Sequence, residues 1–140
     1  MWEVTNPNGV NTNQPLVYFI RIKSPNHEYR YVGKSSSAGR LLSAYHRNIE
    51  RILAGETKRP RFKKNGERQS EGNLRYRRVH LALARAVEEG WLIEHYPLAN
   101  ADKAFLNATE KYWMKKMDCN LNNGPTWAIE DCGKLAGRFS

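Results

Sequence analysis

Five side chains of the right types to handle a phosphate fall close together in this chain: Tyr18, Tyr31, Lys34, Arg40 and His46. Arg40 presents a fixed fork of donors and stays protonated, so it can give a phosphate two hydrogen bonds at once. Taken alone it reads better as an arginine on a helix surface. His46 titrates naturally near neutral pH, and Lys34 becomes a base if it is desolvated beside other cations. Tyr31 has the ordinary alternative of a core tyrosine with a satisfied hydroxyl. Much further along stands Glu110, which on a helical wheel lies beside Leu106, Trp113 and Met117 at the edge of an apolar stripe. An acid placed there needs a partner. Either a lysine or arginine pairs with it, or it serves as a ligand for a hard divalent cation such as Mg2+, which often takes one or two protein carboxylates and keeps its waters.

The elements that must position these groups are readable from periodicity. Leu16 to Lys23 and Tyr29 to Gly33 are β-like runs joined by the turn residues Ser24, Pro25 and Asn26, which predicts a hairpin. From Gly39 to Leu53 the residues Leu41, Leu42, Tyr45, Ile49, Ile52 and Leu53 recur at helical spacing, while Arg40, His46, Arg47 and Arg51 fall elsewhere on the wheel. A second helix is predicted from Arg75 to Glu89, ending at Gly90. Trp91 to Tyr96 reads as a third strand closed by Pro97, and Asn100 or Asp102 then caps a last helix reaching about Asp118. The expected class is α+β, a small three-stranded antiparallel or mixed sheet flanked by helices in the order β-β-α-α-β-α.

At 140 residues the chain is one domain with room for a real core. Residues 1–15 are polar and rich in asparagine, which predicts a flexible arm ordered only by contacts rather than a signal peptide. Residues 16–127 make the domain, and residues 128–140 a C-terminal tail. Within the domain, residues 55–75 form a basic insertion almost without hydrophobic content. Lys58, Arg59, Arg61, Lys63, Lys64 and Arg68 cluster there around Phe62, and Arg75, Arg77 and Arg78 extend it. It reads either as a solvated insertion or as a phosphate-tracking loop whose Phe62 stacks on a base. The balance of 23 Lys+Arg against 14 Asp+Glu, a net charge of +9, favours a polyanionic partner, with nucleic acid first. Cys119 and Cys132 match neither a zinc spacing nor a disulfide framework, which fits reduced thiols in the cytoplasm. No apolar run is long enough to span a bilayer, so no membrane partner is expected.

The series Leu16-Val17-Tyr18-Phe19-Ile20, Tyr31-Val32-Gly33, Arg40, Glu110 and Leu121-Asn122 resembles the successive motifs of GIY-YIG nucleases over most of residues 16–127. The first motif departs from the family, with Leu16 and Val17 where its name has glycine and isoleucine. The long basic insertion makes the chain look more like small phage or restriction-type members than like repair nucleases. The resemblance implies a sheet presenting Tyr18 and Tyr31 near Arg40, with Glu110 holding one Mg2+, or Mn2+ in its place, on the opposite wall of a cleft. It also implies that Asn122 fixes sheet and cleft by hydrogen bonding, with Asn120 as the alternative match.

The activity so implied is Mg2+-dependent DNA endonuclease chemistry by a one-metal mechanism, acting on double-stranded DNA. The candidate bases rank Tyr18, Lys34, His46. An unperturbed tyrosine has a pKa of about 10, so making Tyr18 half-ionised at neutral pH takes about 4 kcal/mol of differential stabilisation, to be shared by Lys34, Arg40 and the metal. Cutting both strands would favour a homo-oligomer, for which the arm and the residues after Asn123 are candidates. The rival reading is a catalytically inactive nucleic-acid-binding or inhibitory module on the same fold, needing the basic loop but not Glu110.

Overall fold

The protein is described from a computed structural model covering residues 1–36, 43–56, 63–67 and 76–122. The tail, the start of the predicted first helix and most of the basic insertion lie outside the described residues, and with them Arg40, Lys58, Arg59, Arg61, Phe62, Arg68 and Arg75. The described elements are β1 (Leu16–Lys23), β2 (Glu28–Ser35), α1 (Ser43–Leu53), α2 (Arg78–Glu89), β3 (Leu92–Asn100), a 3-10 turn (Lys103–Phe105) and α3 (Leu106–Lys116). They form an α+β unit on one antiparallel sheet of order β2-β1-β3. Among the described residues no helix is long and apolar enough to cross a membrane.

Strand β1 is apolar nearly without interruption because it is central and covered on both faces. Its Tyr18, Ile20 and Ile22 join Tyr29 and Tyr31 of β2 in a buried cluster with Tyr45, Ile49 and Ile52 of α1 and Val79, Leu81, Ala82, Leu83 and Ala86 of α2. The alternating residues Val17, Phe19 and Val32 are buried on the other face, where α3 lies against β1 and β2. Two β2 side chains of that face reach α3 directly. The Arg30 Nε donates to the Met117 carbonyl at 2.5 Å, and the Lys34 ammonium donates to Asn107 Oδ1. In α3 Leu106 alone is buried; Trp113 and, at the C-cap, Met117 are half-buried, so this helix rests on the sheet through a narrow stripe.

The turn expected at Ser24 closes through a His27 N–H to Ser24 Oγ bond of 2.9 Å. Helix α2 stops at Gly90, whose φ of 72° is the left-handed conformation that glycine adopts without a Cβ penalty. The second strand runs one residue earlier and two later than its sequence pattern, and α2 starts at Arg78 with Arg77 as its cap. The third strand needs a correction, since Pro97 does not close it: β3 continues to Asn100. Proline is tolerated because β3 is at the edge of the three-stranded ladder and the pairing slips beside it, Tyr18 facing Pro97 while Val17 faces Ala99.

Both sheet edges are occupied. Along β2, Asn122 accepts from the Val32 N–H at 3.3 Å and donates to the Val32 carbonyl at 2.7 Å. Asn120 repeats the pattern, accepting from the Arg30 N–H at 2.8 Å and donating to the Glu28 carbonyl at 2.9 Å. The two amide side chains thus substitute for peptide groups of a fourth strand, so both matches considered from sequence bind the sheet. Along β3 lies the N-terminal arm: the Thr5 N–H donates to the His95 carbonyl at 3.0 Å, Asn8 Nδ2 donates to the Pro97 carbonyl at 3.1 Å, and Val10 is buried.

His95 itself is a buried imidazole in the core, and burial, aided by the nearby charge of His46, pushes its pKa down to about 3. Unfolding returns it to the ordinary value of about 6.5, so the unfolded chain binds the extra proton in between. The stability this group supports is complete above about pH 6.5 and is lost as the pH falls toward 3. Urea unfolding midpoints measured across that range should fall with acid in the wild type and fall less steeply in His95→Gln.

Candidate active site

Three tyrosines converge at the end of the hairpin. Tyr18 and Tyr31 come from β1 and β2, with ring centroids 6.3 Å apart, and Tyr45 comes from α1 with its ring edge-on to Tyr18 at 5.9 Å. The Tyr18 and Tyr45 hydroxyls are 2.5 Å apart, and Tyr45 also lies within hydrogen-bonding reach of the Tyr31 hydroxyl. All three rings are buried, so these phenols are satisfied by one another rather than by water. A cation lies next to these hydroxyls: the charge of the exposed Arg77 side chain acts on Tyr31, Tyr45 and Tyr18.

Gly33 makes this arrangement sterically feasible. It pairs with Tyr18 across the β1–β2 ladder, and the Tyr18 ring lies over it so closely that a Cβ there would stand 2.4 Å from both Cζ and Oη. The glycine of Tyr31-Val32-Gly33 is therefore the space in which the first tyrosine lies.

Burial is the main influence on Tyr18 and drives its pKa upward; the neighbouring Tyr31 and the negative charge of Glu110 add to this. The Tyr45 hydrogen bond and Arg77 act in the opposite direction without overcoming it. Tyr45 is raised well above its ordinary value, again first by burial. In the protein by itself both groups are therefore protonated phenols at neutral pH, and ionising Tyr18 is harder than in water.

Glu110 is half-buried on α3, close enough for its charge to act on Tyr18, and among the described residues it makes no hydrogen bond or ion pair. The lysine or arginine partner weighed from sequence is thus not found among them. They also hold no cluster of three or more His, Cys, Asp or Glu side chains able to enclose a metal, so a cation here would rest on few protein ligands.

The remaining candidates are distributed differently from their sequence grouping. Lys34 is not drawn toward Tyr18; it is anchored to Asn107, one turn before Glu110 on α3. His46 points to the arm, its Nε2 3.1 Å from the Trp2 carbonyl and its ring edge-on to the Trp2 indole at 4.5 Å. Lys63 and Lys64 are exposed on a turn closed by the Glu67 carbonyl accepting from the Lys63 N–H at 2.7 Å. Arg78 donates to the Asn120 carbonyl at 2.8 Å and so ties α2 to the segment bordering β2.

Sequence reasoning missed Tyr45 and placed Arg77 among the loop cations. Tyr45 counted as an apolar member of a helical stripe; its hydroxyl in an otherwise aliphatic row was the available sign, since a buried phenol requires a partner. Comparison with protein-family models, with curated proteins and with solved structures finds no match.

Gly33→Ala should force Tyr18 off its position and destabilise the fold by about 1–3 kcal/mol, the usual cost of overpacking. Urea denaturation measures it. The same substitution made in a Tyr18→Ala background should cost little, and an equal cost in both backgrounds would show that the clash lies elsewhere.

Proposed function

We propose that the protein is a Mg2+-dependent endonuclease that hydrolyses phosphodiester bonds in double-stranded DNA, as its resemblance to GIY-YIG nucleases implies. The observation that carries this reading is a cluster of three buried tyrosines beside the charge of Arg77, with the Glu110 carboxylate, unpaired among the described residues, acting on one of them, Tyr18. The net charge of +9 supplies attraction for a polyanion.

A half-buried carboxylate without a partner among the described residues suits a hard cation that takes one carboxylate and keeps its waters. Bound at Glu110, Mg2+ supplies Lewis acidity against the charge that develops on the phosphate oxygens. Glu110 holds that charge beside Tyr18, and compensating its carboxylate removes one of the influences that raise the Tyr18 phenol. As the base, Tyr18 acts in its phenolate form: its own proton has passed to solvent, it accepts one from the attacking water, and Tyr45 donates to the phenolate oxygen through their short bond. Arg40 contributes the fork that grips the phosphate. Tyr31, beside the charge of Arg77, orients the phosphate or water by its hydroxyl. Asn122 keeps β2, and with it Tyr31 and Gly33, in place.

One observation favours the rival, a nucleic-acid-binding or inhibitory module without catalysis. Burial keeps Tyr18 protonated, which suits a hydroxyl that donates hydrogen bonds better than one that removes a proton. Supercoiled plasmid incubated with and without Mg2+, alongside Glu110→Ala, separates the two. The nuclease reading expects metal-dependent nicking that disappears in the variant while DNA affinity survives; binding without cleavage in either protein supports the rival.

The insertion is assigned to the DNA backbone. Deleting residues 58–68 should weaken duplex binding and flatten the dependence of affinity on salt, because fewer counterions are released. Fluorescence anisotropy at several salt concentrations reads both effects, and an unchanged slope would remove the loop from the interface.

A further inference from the structure

His95 is joined to the N-terminal arm through both its side chain and its backbone. The Trp2 indole donates to His95 Nδ1 at 3.1 Å, and the Thr5 N–H donates to the His95 carbonyl at 3.0 Å. On its other side the imidazole backs the tyrosine site, with ring centroids 5.3 Å from Tyr18 and 5.6 Å from Tyr45. We infer that the arm is a working part of the site: Trp2 fixes the imidazole of His95, and His95 positions the Tyr18–Tyr45 pair. The catalytic half of this inference rests on the nuclease reading above.

The argument begins with the proton. An indole N–H can only donate, so Nδ1 must be the acceptor and the neutral ring carries its hydrogen on Nε2. That Nε2 is buried and has no hydrogen-bond partner among the described residues. An imidazole left with an unsatisfied atom in the core costs stability, and a ring free to turn would seek another contact for it. The Trp2 bond holds the ring in the orientation observed, against the faces and edges of the two tyrosines.

Trp2 also binds the second element that carries the pair. Its carbonyl lies 3.1 Å from His46 Nε2, and His46 follows Tyr45 directly on α1. One residue of the arm thus connects β3, through His95, with α1, through His46, and Tyr18 and Tyr45 lie between them. The Tyr18–Tyr45 hydroxyl contact of 2.5 Å tolerates little displacement of either ring. This gives His46 a clear task as a clamp for the arm, in place of the proton transfer for which its type recommended it.

The test uses the full chain with 15N-labelled histidine and 13C-labelled tyrosine. Trp2→Phe keeps an aromatic ring and deletes the donor; Thr5→Pro removes the backbone bond without altering Trp2. In the wild type His95 should show the Nε2–H form with a bare Nδ1. Each variant should shift the His95 signals and the Tyr18 and Tyr45 ring signals. It should also lower kcat for plasmid nicking about tenfold, with KM little changed, because misplacing catalytic groups by a fraction of an ångström carries costs of this order. Folded variants whose histidine and tyrosine signals match the wild type overturn the inference, as does an unchanged kcat when the tyrosines have moved. Shifted signals in a protein that cleaves no DNA sustain the coupling and overturn the nuclease reading instead.

Discussion

Tyr18 lies across its neighbour strand at Gly33, with its hydroxyl turned into the interior rather than toward water, and much of the remaining structure follows from accommodating that ring. A buried phenol needs a partner, and α1 must deliver Tyr45 to within 2.5 Å of it. Tyr45 in turn brings in Tyr31, and Tyr31 brings in Arg77 at the start of α2. The same side of the sheet is therefore aliphatic where α1 and α2 pack on it and polar where the phenols meet. Glycine at position 33 belongs to this arrangement as much as any tyrosine, since a single added carbon would occupy the place of the ring.

A sheet of three strands has two exposed edges for one interior strand, and among the described residues both are closed without a fourth strand. Asn120 and Asn122 present side-chain amides to β2 at alternate residues, matching the repeat at which its outward backbone groups recur. The arm closes the β3 edge by backbone and side-chain hydrogen bonds. Both closures hold strands that bear site residues, so protecting the edges and positioning the tyrosines are served by the same contacts.

Electrostatically both signs of charge meet at Tyr18, where Arg77 lowers the phenol's pKa and the weaker influence of Glu110 raises it. The protein carries an excess of basic groups, yet the side chain acting on Tyr18 from α3 is a carboxylate, and Lys34, the nearest lysine in sequence to Tyr31, is held by Asn107. Burial sets the resting state of the phenols as protonated, and the nearby anion reinforces it.

The amino-acid sequence by itself determined the strand β1, the turn after it, the Gly90 stop of α2 and the α+β class, because each rests on local chemistry: apolar content, turn residues and a left-handed glycine. It also determined the net charge and the positions of the two asparagines that border β2. The extension of β3 past Pro97 was decided by tertiary structure, since a proline is admissible at a sheet edge or a register slip, and the fold gives this position both. The site was divided in the same way. Periodicity distinguishes apolar positions from polar ones, and it assigned Tyr45 to the core without showing that its hydroxyl meets Tyr18. Residue type made Lys34 and His46 suitable for chemistry, but their directions were decided by Asn107 on α3 and Trp2 on the arm, far away in the chain. A side chain's type is a local property, whereas its partner depends on which distant segment the fold brings beside it.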